Sequence, residues 1–157
     1  MFICEESTYN QKIVPVVNQF KMDYFGHESI IIHSRDIRKA QKDFGFLTNQ
    51  QKREEFYVRL NQIMSDAEYN LIVSVIRKQE HKDKYGLNAD NPYDLAMMFA
   101  MERLLPLLED RKQDKVYLVA ESRGKKEDDD LLLSFLRIAN QGTNYIEAER
   151  FKKIDFK

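Results

Sequence analysis

Short apolar runs alternate with amphipathic helical patterns along the chain, and this alternation restricts its fold more than any other feature. The runs are rich in β-branched residues, which favour buried strands. Between them, apolar residues recur every three or four positions, which predicts helices with one buried face. Such an order is typical of α/β proteins with a largely parallel sheet. The predicted strands are residues 1–4, 29–33, 70–76, 116–120 and a short last strand within 145–157.

Caps and terminators place the helices between these runs. Thr48 with Gln51 forms a capping box, and Asn91 followed by a proline is typical of a helix start. Gly142 is expected to end the last helix. The basic segment 77–82 is predicted to be a solvent-exposed loop rather than a helix. The predicted helices run from Ser7 or Thr8 to Gly26, from Thr48 to Asp66, from Asn91 to Glu109 and from Asp128 to Asn140.

The amino-acid composition is typical of a globular protein. Its 157 residues are enough for one domain with a proper core, and 43% of them are hydrophobic. A formal net charge of −1 excludes the global basic surface of a protein that coats DNA, but not a local basic patch. Cys4 is the only cysteine, so no intramolecular disulfide can form. No long apolar span is present, and we expect a cytoplasmic protein without a membrane partner.

Polar residues follow two of the predicted strands. Glu121 comes directly after the run 116–120, where an α/β sheet places ligands and chemistry. The alternative is that Glu121 pairs with Arg123 or caps the next helix. His33, Arg35, Asp36 and Arg38 follow the run 29–33, and this combination suits a phosphate or metal neighbourhood. A purely structural role for these residues is the alternative.

Four short motifs occur in order along the chain: His33–Arg38, Asn91–Tyr93, Glu121–Gly124 with Asp128, and Gln141–Thr143. Together they resemble the DUF3800 family, over essentially the whole chain. The resemblance implies a ribonuclease H-like three-layer sandwich with a central mixed sheet and helices on both faces. It implies one domain over residues 1–157, truncated at both ends, because the family's Asp-Glu pair on a first strand and its late Gln-x-x-Asp motif are not visible. Arg77 stands where the family often has an Asp.

The resemblance also implies a metal-dependent nuclease that hydrolyses phosphodiester bonds. Glu121 would be the middle carboxylate of the site and a ligand of Mg²⁺ or Mn²⁺, with Asp128 assisting. His33 and Asp36 would contribute to catalysis. Because two flanking carboxylates are missing, we expect this chain to be weak or inactive as a nuclease. The residues expected to contact substrate phosphate are Arg35, Arg38, Arg123 and Lys126.

Two alternatives stay open at this point. One is a non-catalytic module that binds nucleic acid or protein with a degenerate ribonuclease H-like fold. The other is a different hydrolase, in which His33 and Asp36 form an acid–base pair. The choice between RNA and DNA and the oligomeric state stay open as well.

Overall fold

The structure is a computed structural model that describes residues 1–122 and 124–156. Helices dominate it, and no described strand is longer than three residues. The strands β1 (Phe2–Ile3) and β2 (Asn70–Leu71) form one two-stranded sheet, and β3 (Val116–Leu118) and β4 (Ile154–Phe156) form another. The predicted ribonuclease H-like sandwich with its central mixed sheet is therefore wrong.

The run 70–76 shows why this prediction failed. Only its first two residues belong to a strand, and further along Val73 and Val75 are 68% and 79% exposed. A central strand would bury both faces. The run 29–33 contains no strand at all. β-Branched residues favour an extended backbone whether or not another strand lies beside it, so the composition predicted extended segments but could not predict their pairing.

The chain forms two compact units, residues 2–70 and Met1 with the segment from Leu71 onward. The first unit is helical after β1. Two further helical segments belong to this unit. A π-helical turn, Tyr9–Ile13, precedes the helix that begins at Val14, and a 3₁₀-helix, Lys42–Thr48, precedes the helix that begins at Gln50. The predicted helix that ends at Gly26 is confirmed. The α-helices of this unit are α1 (Glu6–Thr8), α2 (Val14–Phe25), α3 (Ser34–Lys39) and α4 (Gln50–Asp66).

Aromatic rings fill the core of the first unit. Phe20 and Phe56 are fully buried and lie 5.0 Å apart between ring centroids. Asn49 caps α4, since its side-chain oxygen accepts a hydrogen bond from the Lys52 backbone at 3.1 Å. The capping box predicted at Thr48 is wrong, because the Thr48 hydroxyl donates to the Gly45 carbonyl instead. The buried residues of this core are Phe20, Ile30, Ile37, Phe44, Leu47 and Phe56.

The second unit is built on two long helices. Its α-helices are α5 (Lys78–Tyr85), α6 (Pro92–Asp110), α7 (Lys125–Gln141) and α8 (Ala148–Phe151). β3 and β4 pair in parallel, with Val116 opposite Ile154. Asn91 caps α6 as predicted, and Gly142 ends α7 as predicted. The prediction of a loop at residues 77–82 is wrong, because most of that segment lies in α5. The buried apolar residues are Ala100, Met101, Leu104, Leu105, Leu108, Phe135, Ile138, Phe151 and Ile154.

In the described part of the chain, every helix is too short or too polar to cross a membrane.

Candidate functional site

Asp36 is largely buried in the first unit and is bonded to a lysine. It is only 8% exposed, and its Oδ2 accepts a hydrogen bond from Lys42 Nζ at 2.7 Å. That hydrogen bond is the main reason why the pKa of Asp36 lies below its usual value, and burial opposes the shift. The charges of Lys42, His33 and Arg35 lower this pKa further. Asp36 is thus held as a carboxylate whose charge is largely matched by Lys42.

The exposed side of α3 is basic. Arg35, Arg38 and Lys39 are exposed, and their spacing of three and four residues places them on one side of the helix. Arg53 of α4 lies next to them, because its Nη2 is 3.4 Å from the Arg38 backbone oxygen. We call these four cations the α3 basic face. None of them forms an ion pair with any residue in 1–122 or 124–156.

His33 occupies the position just before α3. Its backbone oxygen accepts a hydrogen bond from the Ile37 amide at 3.0 Å, and its side chain is exposed. The charge of His33 lowers the pKa of Asp36, so the two side chains lie close together. Within the described residues no hydrogen bond joins them, and Lys42 holds Asp36 Oδ2. This geometry does not favour the acid–base pair of the alternative hydrolase.

Glu121 lies at a different kind of position from the one predicted. β3 stops at Leu118, so Glu121 stands three residues beyond a short strand, in an exposed irregular segment. Ser122 Oγ donates to Asp128 Oδ2 at 2.5 Å across the first turn of α7. Lys126 is exposed in the same turn. Arg123, the other predicted phosphate contact of this segment, is outside the described residues.

The residues predicted to hold Mg²⁺ or Mn²⁺ do not fit a two-cation site. Such a site uses several carboxylate oxygens from separate elements that converge on each ion. Here Glu121 is exposed, and one oxygen of Asp128 is already engaged by Ser122. No cluster of three or more His, Cys, Asp or Glu side chains suited to a metal ion exists in the part of the chain that the structure covers.

The structure therefore brings the predicted site residues together in two separate groups. His33, Arg35, Asp36 and Arg38 lie around α3 in the first unit. Glu121, Lys126 and Asp128 lie at the start of α7 in the second unit. Each group is local in sequence.

A polar cluster that the sequence did not reveal links α6 to α7. Asp94 in the first turn of α6 accepts hydrogen bonds from Ser134 Oγ and from Arg137 Nη2, the latter at 2.7 Å. An open groove of about 580 Å³ lies along this contact, lined also by Leu133 and Leu136. The partners are 40 and 43 residues apart in sequence. Only the tertiary fold brings them together, so no local pattern could have indicated the cluster.

Lysine side chains also lie against tyrosine rings at α5 and the start of α6. Lys78 Nζ is 4.5 Å from the centroid of the Tyr93 ring and 3.2 Å from its hydroxyl oxygen. Lys84 Nζ is 5.0 Å from the centroid of the Tyr85 ring. Such distances permit a cation–π attraction. The sequence suggested no role for these residues.

Comparison of the chain with known protein families, with curated proteins and with solved structures finds no match. The resemblance to the DUF3800 family stays a prediction from the quoted motifs.

Proposed function

We propose that this chain is a nucleic-acid-binding module that contacts the phosphate backbone through the α3 basic face. One observation carries the proposal: the acid of α3 is turned inward while its cations are turned outward. Asp36 is buried and bonded to Lys42, whereas Arg35, Arg38 and Lys39 share the exposed side of the helix. Arginine and lysine side chains supply many of the phosphate contacts in protein–nucleic acid complexes.

The burial of Asp36 matters for phosphate binding. Because Asp36 is buried and its charge is matched by Lys42, it does not cancel the positive electric field of the exposed cations outside the helix. An exposed carboxylate without a partner beside these cations would repel phosphate. Instead, the charge of Asp36 is matched by Lys42, the first residue of the 3₁₀-helix that follows α3. Two guanidinium groups one turn apart can each form paired hydrogen bonds with phosphate oxygens, which a single ammonium cannot.

The net charge of the chain limits the strength of this interaction. With a formal charge of −1, the protein as a whole does not attract a polyanion from a distance. Binding should therefore depend on a few direct phosphate contacts and fall with salt. For single strands, each contact contributes about 0.7 to the slope of log affinity against log salt.

The test compares two double variants that remove the same charge. Arg35→Gln with Arg38→Gln removes two cations of the α3 basic face. Lys12→Gln with Lys21→Gln removes two other cations of the same unit, the exposed Lys12 and the half-buried Lys21. Binding of a fluorescently labelled oligonucleotide is followed by anisotropy from about 20 to 200 mM salt.

We expect the arginine variant to bind about tenfold more weakly at low salt, with a slope smaller by about 1.4, since two contacts are lost. The lysine variant should keep both the affinity and the slope of the wild type. Equal weakening in the two variants would contradict the proposal, and so would wild-type protein that does not bind. Equally strong competition by polyglutamate would show that the face binds polyanions in general.

A further inference from the structure

We infer that α5 and the start of α6 form a stacking site for unpaired bases, so that the nucleic acid bound is single-stranded. The site consists of Tyr93 with Lys78 and Tyr85 with Lys84, which we call the tyrosine–lysine platform. The inference rests on the proposed function in one respect, that the ligand is a nucleic acid. It adds the class of nucleic acid and a second binding surface, which lies in the other unit.

The rings are accessible to a ligand. Tyr93 is 62% exposed and Tyr85 is 48% exposed. Each has a lysine ammonium within about 5 Å of its centroid, as given above. An unpaired base can stack on an exposed aromatic ring, and a neighbouring cation can contact the phosphate of the same strand. Ring and ammonium thus offer the two contacts that one nucleotide needs.

The two lysines are available for phosphate because nearby acids are engaged elsewhere. Glu80 accepts a hydrogen bond from Arg77 at 2.8 Å, and Asp83 accepts one from Gln79 at 2.7 Å. Neither Lys78 nor Lys84 forms an ion pair with any residue that the structure describes. Their ammonium groups instead rest against the tyrosine rings.

Hydrogen bonds hold the platform in place before any ligand binds. The Tyr93 amide donates to Asn91 Oδ1 at 2.9 Å, and Asp94 anchors the same turn of α6 to Arg137 of α7. On α5, His81 Nε2 lies 3.0 Å from the Asp90 backbone oxygen, and the His81 ring packs 5.0 Å from the Tyr85 ring. A site that is ordered in advance loses less entropy when a ligand binds.

Stacking of this kind selects single strands. In a duplex every base face except the two outer faces at its ends is covered by its neighbours in the stack, so a tyrosine ring along the duplex meets only the backbone. Unpaired bases can be splayed apart and stacked on aromatic side chains. Because every base has a flat face, such a site tolerates many sequences.

Direct detection of stacking is simple in this protein, because the chain contains no tryptophan. Tyr93→Trp places a single tryptophan at the platform. Its fluorescence is titrated with an unstructured thymidine 15-mer and with a blunt duplex of the same length. We expect saturable quenching with the single strand and little change with the duplex. Tyr145→Trp, at an exposed tyrosine of the same unit, is the control and should respond to neither.

Loss of the ring provides the second measurement. By anisotropy, Tyr93→Ala should weaken binding of the single strand about 5- to 100-fold, as for other stacked aromatic residues. Tyr93→Phe should bind like the wild type, since it keeps the ring. Tyr145→Ala should have no effect. If Tyr93→Trp does not fold, the comparison of these three variants by anisotropy still tests whether bases stack on Tyr93.

The two proposals fail in different ways. Arg35→Gln with Arg38→Gln, made in the Tyr93→Trp protein, should leave the quenching at saturation unchanged, because the two surfaces lie in different units. Normal quenching in that protein, together with unchanged affinity of the arginine variant by anisotropy, would contradict the α3 basic face alone. Binding without quenching, and without loss in Tyr93→Ala, would overturn the stacking site alone. Equal quenching by the duplex would overturn its selectivity for single strands.

Discussion

Lys42 Nζ lies 2.7 Å from Asp36 Oδ2, and this contact joins an exposed ammonium to a carboxylate that is almost buried. Lys42 begins the 3₁₀-helix that follows α3, so one contact ties the two elements together. It also removes the acid of α3 from the surface. The stability of this part of the unit and the charge of the α3 basic face therefore depend on the same ion pair.

Replacing Asp36 with Asn should reduce stability at neutral pH but not in strong acid. The Lys42 hydrogen bond lowers the pKa of Asp36 in the folded protein, so the ionised carboxylate favours the folded state above its ordinary pKa of about 3.9. This contribution disappears as the pH falls through the lowered pKa of the folded state. Urea unfolding of the wild type and of Asp36→Asn, from pH 7 to pH 2, should show a gap in the free energy of unfolding that closes in acid.

Asp43 offers the matched control for that experiment. It is exposed in the same segment and forms no ion pair among the described residues. Asp43→Asn should follow the wild-type stability curve at every pH. A gap between wild type and Asp36→Asn that persists unchanged to pH 2 would contradict the assignment, because it would have to arise from packing rather than from charge.

Much of the helical part of the fold could be predicted from the sequence, because its signals are local. Asn91 followed by Pro92 marked the start of α6, and Gly142 marked the end of α7. The sheet could not be predicted in the same way, since an apolar run carries no information about which strand lies beside it. Val73 and Val75 belong to such a run and are exposed.

The candidate sites, like the fold, could be predicted from the sequence only where their residues lie close together in the chain. Arg35 and Arg38 were expected to contact phosphate, and they lie on one exposed helix face. Asp36 was expected to act with them, but nothing in its neighbours indicates that it turns inward to Lys42. The platform was missed because residues 77–82 were expected to form a loop, which would not hold Lys78 against a ring fifteen residues away.

Truncating Phe56 to Ala should strongly destabilise the first unit. Phe56 is fully buried, and its ring lies within about 6 Å of those of Phe20, Tyr24 and Phe46. Removing a core phenylalanine costs about 3–5 kcal/mol of stability. Val58→Ala, an exposed position on the same helix, should change stability by less than about 0.5 kcal/mol. Urea unfolding followed by circular dichroism measures both. A loss below about 1 kcal/mol in Phe56→Ala would contradict the tight aromatic core.

Two glycines with nearly the same φ should differ in their tolerance of a side chain. Gly26 (φ 76°, ψ 2°) is left-handed helical, where Ala is strained by about 1–2 kcal/mol, whereas Gly142 (φ 75°, ψ −162°) lies in a region that glycine almost alone adopts. At Gly142 an added Cβ would also lie 2.5 Å from the Ile146 carbonyl oxygen, whereas at Gly26 it meets nothing within 4 Å. Gly142→Ala should therefore lower the melting temperature clearly more than Gly26→Ala. Equal losses would show that the turn after α7 can open to accept the methyl group.

Replacing Glu121 with Ala tests the predicted nuclease directly. Because Glu121 is exposed and Asp128 is engaged by Ser122, we expect no cleavage of labelled RNA or DNA with Mg²⁺ or Mn²⁺ that depends on Glu121. Wild type, Glu121→Ala and the control Glu127→Ala, an exposed acid at the start of α7, should give the same low rates. Cleavage by the wild type that needs the metal and is lost in Glu121→Ala alone would establish the nuclease.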